Sequence, residues 1–296
     1  MKKHWFGLLA LATLVLVSPK AYSQYYYYND RHLDKDVIWE VGAQVGIMNC
    51  MTDLGKKGFN TTNSNLSGGF YAGFLYQNFI GARLEFNWGR IEAADSLAGK
   101  GSPQYNRNLS FRSNINEISI IGEFHPFMLA YKDNMPSFSP YLLAGYTYFQ
   151  YNPQAYLNGK WINLQPLSTE GQGFEPYKST REKYNLGQTA IPVGIGFKYE
   201  LSQRINLRAE FMYRFTSTDY LDDVSSTYID PALFDQYLSP QQAAWARALH
   251  YRSPEVDPTA PSTPSATNPR GSANSKDAYW GLQFKIGINL GRDLYH

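Results

Sequence analysis

Cysteine is nearly absent from this chain: Cys50 stands alone among 296 residues, so no internal disulfide can hold the fold. Long apolar runs are as scarce. The one candidate, Trp5 to Val17, is too short to remain in a bilayer as a helix, which takes about 20 residues. Lys2 and Lys3 precede it, and Ser18-Pro19-Lys20-Ala21-Tyr22-Ser23 follows with small residues at positions −3 and −1. That pattern predicts a cleaved secretory signal over residues 1–23, with a mature chain starting near Gln24. No cysteine follows closely enough for a lipid anchor. Charge imbalance is missing as well. Removing Lys2, Lys3 and Lys20 from the 27 basic residues leaves 24 against 25 acidic ones, which argues against a nucleic-acid partner.

What the chain has in excess is aromatic side chains, 16% of residues including 24 tyrosines. Transmembrane β-barrels use such rings at both membrane interfaces, and their strands alternate apolar and polar positions over about ten residues. Eight segments show that period. Trp39, Val41, Ala43, Val45 and Ile47 alternate with Glu40, Gly42, Gln44 and Gly46. Phe70 to Tyr76, Ala82 to Trp88, Glu117 to Phe124, Leu142 to Tyr148, Ile191 to Lys198, Ile205 to Phe215 and Trp280 to Ile288 repeat it. The connections alternate long and short, as short periplasmic turns and long outer loops would. A soluble sandwich also alternates, but here the stripe of bulky apolar residues is almost free of polar interruptions. The fold expected is therefore all-β: an eight-stranded antiparallel transmembrane barrel over 38–290. A periplasmic leader (24–37) precedes it and a short tail (291–296) follows. The chain would sit in the outer membrane, amid its lipids, with both termini periplasmic.

Eight strands enclose a space just wide enough for side chains. The inward parity carries Glu40, Glu85, Glu117, Glu123 and Glu210 against Arg83, Lys198, Arg208, Arg214 and Lys285. Five acids facing five bases predict a lumen filled by an ion-pair network, because buried charges persist only when paired. Conduction would instead want one sign of charge or a wider pore. Catalysis is not expected: of the histidines, only His250 falls in an outer loop, inside a helical-looking segment and away from any strand end. No cofactor, metal or small-molecule substrate is implied. Asp219-Tyr220-Leu221-Asp222-Asp223 places three carboxylates after the seventh strand. It reads as a turn locking the strand end, with calcium the competing reading, since the glycine and alternating ligands of a calcium loop are missing. In the long outer loop at 218–277, Pro231 to Tyr251 predicts helix with Asp230 as N-cap. Arg252 to Lys276, rich in Pro, Ser and Thr, predicts disorder.

Several loop segments resemble a family of outer-membrane barrels first catalogued as a domain of unknown function, the PorG-like family. They are Gly159 to Leu167 with Trp161 at its centre, Thr169-Glu170-Gly171-Gln172-Gly173, and Phe215 to Ser225 with its Asp219-Tyr220-Leu221-Asp222-Asp223 run. Arg270-Gly271, Asn108 to Phe111 and Trp39 to Gly42 add to the likeness. The resemblance implies a non-enzymatic structural subunit of the type IX secretion apparatus. Such a subunit would link a periplasmic ring lipoprotein of the PorK or GldK kind to the outer membrane during protein secretion and, in some cells, gliding motility. The long last loop departs from the family pattern. A second reading is a surface barrel binding external ligands or host factors through its outer loops.

Overall fold

The computed structural model describes residues 36–55, 58–59, 61–130, 137–273 and 275–290. The predicted signal, nearly all of the leader and the C-terminal tail lie outside the described residues. The strands are β1 (Val37–Met51), β2 (Asn65–Tyr76), β3 (Ile80–Ala94), β4 (Ser110–Phe124), β5 (Phe138–Gln150), β6 (Pro153–Leu157), β7 (Lys160–Asn163), β8 (Gly187–Glu200), β9 (Ile205–Thr216) and β10 (Ala278–Leu290). Eight of them close into an antiparallel barrel in the order β1-β2-β3-β4-β5-β8-β9-β10, with β10 returning to β1 from Trp39↔Leu290 to Met51↔Ala278. Closure removes every free edge from the wall, the condition for strands to cross lipid. The remaining pair, β6–β7, is a hairpin that continues the wall outward from β4 through Arg112↔Gln154.

Parity sorts the wall as the alternation requires. Val45, Phe70, Leu84, Ile120, Leu142, Val193 and Phe284 are exposed on the outside, while Glu40, Arg83, Glu123, Arg208 and Lys285 are buried inside. Glycines on the inward parity make room for large lumenal rings: a Cβ at Gly42 would fall 2.5 Å from the ring of Tyr71, and one at Gly196 would fall 2.4 Å from that of Tyr141. Both described ends of the barrel, near Val37 and Leu290, share the end that carries the short turns after Tyr76 and Glu200.

At the opposite end the strands outrun the 9–11 residues a bilayer needs; β3 and β4 each run to 15 residues. This surplus, together with the long loops, builds a second apolar core beyond the lipid-facing band. Met48, Ile91, Phe111, Phe149, Ile162, Leu167, Phe174, Ile229, Phe234, Ala246 and Tyr279 all pack into it. The loops carry α1 (Pro103–Arg107), α2 (Ala232–Tyr237) and α3 (Pro240–His250). Asp230 accepts from the amide of Ala232, but the N-cap position falls on Pro231 rather than on Asp230 as expected, so α2 starts one residue later. The expected helical content forms as two helices divided at Leu238–Ser239, because Ser239 caps a new helix through a reciprocal bond with Gln242 and Pro240 takes its first position.

The stretch from Arg252 to Lys276 departs from the expected disorder. A single helical turn forms at Ser253–Glu255, Tyr228 N–H donates to Asn268 O at 3.0 Å, and Arg270 is buried. Its composition is that of a free chain, yet one arginine ties it to the cap. That tie depends on residues far away in sequence.

Candidate functional site

Two constellations fill the barrel. The first is lumenal, and all ten ionisable residues expected there are buried inside the wall. Arg83 stands at the centre, with Nη1 on Glu123 and Nη2 on Glu210, each at 2.7 Å, and Nε on Glu85. Arg208 joins Glu40 at 2.7 Å to Glu123 at 2.8 Å. Lys285 bridges Glu85 at 2.5 Å and Glu210 at 2.9 Å. Arg214 holds Glu117 at 2.6 Å. Lys198 departs from the expected five-by-five pairing and meets Glu200 at 3.2 Å, two residues along its own strand.

Sequence reading also missed the neutral half of the network. Tyr71 donates to Glu40 and Tyr141 to Glu210, each at 2.5 Å, and Tyr279 donates to Glu117 at 2.6 Å. Their place on the inward parity was the available signal: Tyr71 and Tyr141 alternate with outward apolar residues on strands without charges, and Tyr279 shares its parity with Lys285. These hydroxyls satisfy carboxylate lone pairs that the cations leave over, which a buried charge requires.

The second constellation lies in the cap and gathers segments that the sequence holds far apart. Glu170, fully buried, accepts from Ser225 N–H at 3.0 Å and Ser226 N–H at 2.9 Å. It also accepts from the Ser226 hydroxyl at 2.6 Å and Arg270 Nη1 at 3.1 Å. Arg270 donates further to Asp223 O at 2.6 Å. Thr169 and Tyr184 hydroxyls donate to the two Asp223 carboxylate oxygens at 2.5 and 2.6 Å. Gln172 folds back to accept from Glu170 N–H. Gly171 and Gly173 occupy left-handed backbone, φ +74° and +81°, which allows this reversal. Asp223, at φ 66°, holds the same conformation without glycine. A second arginine, Arg107, clamps Asp95 at 2.7 and 2.8 Å and donates to the carbonyls of Asp53 and Arg270. The loops following β1, β3, β5 and β9 are thus latched together.

His250 sits inside the latch, Nδ1 at 2.6 Å from Thr169 O. Burial and the Arg270 charge push its pKa down to about 3. It is therefore neutral, and among the described residues it hydrogen-bonds to backbone rather than to a hydroxyl or thiol. Trp161, from the same motif region, lies apart on an exposed hairpin beneath the Arg112 guanidinium, 3.6 Å from the ring centre. The turn Asn158-Gly159, with positive φ at both residues, builds that hairpin. Asn-Gly between two short strands was a legible hairpin signal.

The acidic run divides. Asp223 belongs to the latch. Asp222 is buried, and its Oδ1 accepts from Val224 N–H at 2.9 Å in a local turn. Burial, with Asp53 beside it, pushes its pKa up to about 8, against Thr52, Val224 N–H and Arg107, which pull it down. Asp219 is raised to about 7, again by burial first, with Asp53 and Glu170 adding to it and Ser225 and Lys276 opposing. Asp277, whose Oδ2 accepts from Leu221 N–H, is raised well above its ordinary value by burial and by Asp222 and Asp219. Among the described residues no three His, Cys, Asp or Glu side chains are grouped as metal ligands.

These acids hold protons when folded that they would release on opening, so cap stability is fully present below the ordinary aspartate range and falls as pH rises from about 4 to 8. Hydrogen exchange of residues 217–230 should accelerate over that range, by at most about 1.4 kcal/mol per pH unit for each proton. Asp222→Asn should flatten the profile. Constant protection from pH 5 to pH 8 in the unaltered protein would refute the reading that these acids are protonated in the folded cap.

Residues 26–169 match the profile of a family described as a domain of unknown function, DUF6089. The matched stretch runs from before β1 to Thr169, so it takes in Trp161 but not the Asp219–Ser225 or Arg270 segments. No curated protein sequence matches the chain. Among solved structures, the chain is similar to Neisserial surface protein A at 11% identity, covering 84% of this chain and 96% of that one, TM-score 0.37. It is similar to Ail, the attachment invasion locus protein of Yersinia pestis, at 8% identity over 86% and 97%, TM-score 0.35. It is also similar to the outer membrane protein OprG of Pseudomonas aeruginosa at 10% identity over 86% and 95%, TM-score 0.35. The fold resembles these outer-membrane β-barrels.

Proposed function

We propose that this protein is a non-enzymatic scaffold in the outer membrane and a structural subunit of the type IX secretion apparatus. The observation carrying the scaffold reading is the double obstruction of the barrel: paired charges fill the lumen, and a latched apolar cap covers its outer mouth. A barrel so filled serves its surroundings through its surfaces. The secretion role itself rests on the resemblance of the Trp161, Thr169–Gly173 and Asp219–Asp223 segments to the PorG-like family. In this reading a cleaved signal delivers the chain, both termini face the periplasm, and the short-turn end meets a periplasmic ring lipoprotein of the PorK or GldK kind. The exposed Phe127 and Leu129, in the turn between β4 and β5, belong to that end.

Deleting the gene and assaying cargo in the medium tests the role. Loss of secreted cargo, with the barrel co-purifying with the ring lipoprotein, is expected. Normal secretion would defeat the secretion role and leave the scaffold fold untouched. The second reading, ligand binding by outer loops, is favoured by the exposed Tyr156 and Trp161.

A further inference from the structure

Above the lipid-facing band the outer wall changes chemistry. On β3 the outward positions run Leu84, Phe86, Trp88 and then Arg90; on β4 they run Ile120, Ile118, Asn116, Asn114 and Arg112. The wall continues onto β6 and β7, where Gln154 lies opposite Asn163 and Tyr156 opposite Trp161. The inward face of this hairpin, Ala155 and Ile162, is buried in the cap core. Its outward face takes no part in that packing: Tyr156 is 48% exposed and Trp161 40%.

The exposed face is organised. The rings of Tyr156 and Trp161 lie 5.1 Å apart, and Arg112 stacks on Trp161. Asn114 is in register with Arg90 and Glu92 with Arg112, so the two arginines are diagonal neighbours on one face, within reach of each other. Each spends its Nε on an amide oxygen, Arg112 on Gln154 at 3.2 Å and Arg90 on Asn114 at 3.1 Å. Gln154 in turn donates to Asn163 at 2.7 Å. Among the described residues neither guanidinium has a carboxylate within ion-pair distance; Glu92 acts on Arg112 only from farther away. Two like charges thus stand side by side, with Glu92 near Arg112 but no carboxylate in hydrogen-bond reach of either terminal fork. That arrangement costs stability and is repaired by an anion from outside.

We propose that this face binds an anionic saccharide: the phosphorylated or carboxylated sugar headgroup of glycolipid packed around the barrel in the outer leaflet. The arginine forks suit phosphate or carboxylate, which they meet with paired N–H donors. Flat rings with a polar edge suit the apolar face of a pyranose, and the Gln154 and Asn163 amides suit its hydroxyls. Position selects the source. The face begins one outward step beyond Trp88, at headgroup height, and on the side of the wall that faces lipid. The inference rests on the outer-membrane placement proposed above.

The test uses the full chain folded in a zwitterionic detergent free of sugar, with binding followed by native mass spectrometry. The probes are lipopolysaccharide bearing a phosphorylated inner core, lipid A alone, inorganic phosphate and neutral maltoheptaose. Core-bearing lipopolysaccharide should bind tightest and weaken with salt. R90Q/R112Q should lose at least about tenfold in affinity, and Y156A/W161A several-fold, with heat-dependent gel mobility unchanged because all four side chains lie on the surface. Equal binding by both double variants overturns the site, as does lipid A binding that neither double variant weakens. Preference for maltoheptaose overturns the anionic part, and full competition by inorganic phosphate overturns the glycolipid source. Cell fractionation tests the placement separately: a chain found outside the outer membrane would defeat that reading without altering binding in vitro.

Discussion

Glu170→Gln should open the outer cap while leaving the barrel folded. Glu170 is the nearer of two anions of Arg270, at 3.1 Å against 3.9 Å for the Asp223 carboxylate, and both Glu170 and Arg270 side chains are at most 2% exposed. The amide keeps the shape but cannot balance the guanidinium, and it presents an NH₂ group where the carboxylate accepted from Ser225 and Ser226. Removing one partner of a buried pair costs about 3–5 kcal/mol, chiefly because the other charge stays buried without it. The loss is confined to the loops that the pair joins. Hydrogen exchange should therefore accelerate in residues 165–186 and 217–273, with β1 to β5 unchanged. A paired replacement, Glu170→Met with Arg270→Met, should recover much of the protection, since matched apolar groups replace a buried pair at little cost. If the single variant leaves the cap as protected as before, the latch is not what holds it.

The second large effect is expected in the lumen. Among the described residues, Arg208→Met removes the one cation in ion-pair contact with Glu40, which keeps the Tyr71 hydroxyl and the more distant charge of Lys198. Glu123 retains Arg83. The asymmetry makes Arg208 a sharper probe than Arg83, whose three carboxylate partners each keep another cation: Glu85 and Glu210 keep Lys285, and Glu123 keeps Arg208. A loss of about 3–5 kcal/mol is expected for Arg208→Met, read as a lower urea midpoint for unfolding in micelles. Arg208→Met with Glu40→Gln should restore part of it by removing the orphaned charge. An Arg83→Met loss clearly larger than that of Arg208→Met would show that the pairs do not act as drawn.

Much of this architecture is written locally. Each barrel strand declares itself by period 2, because one face meets lipid and the other meets a crowded interior, and every residue from Trp39 to Ile47 obeys that rule on its own. The lumenal charges follow from the same parity. The tyrosines that complete the network share it, but a tyrosine suits either face of such a wall, so its side could be read only from its neighbours. The cap is different in kind. Glu170 and Arg270 are 100 residues apart, and nothing in the chain around Arg270, which is rich in Pro, Ser and Thr, marks it as buried. The likeness of the separate loop segments to one family gave a list of residues, and the fold supplies the reason they belong together. Asp222 shows the same limit: a carboxylate in an acidic run looks solvated, yet it is buried with Asp53 and Asp277, from two other segments, acting electrostatically with it.

Planar-bilayer recording of the purified, refolded full chain at neutral pH bears most directly on the obstructed barrel. Ion pairs across the lumen and a latched cap over its mouth should give insertion without stable open channels, and conductance steps should be rare and brief. Long-lived channels of uniform conductance in the unaltered protein would mean that the interior is a path rather than a packed core.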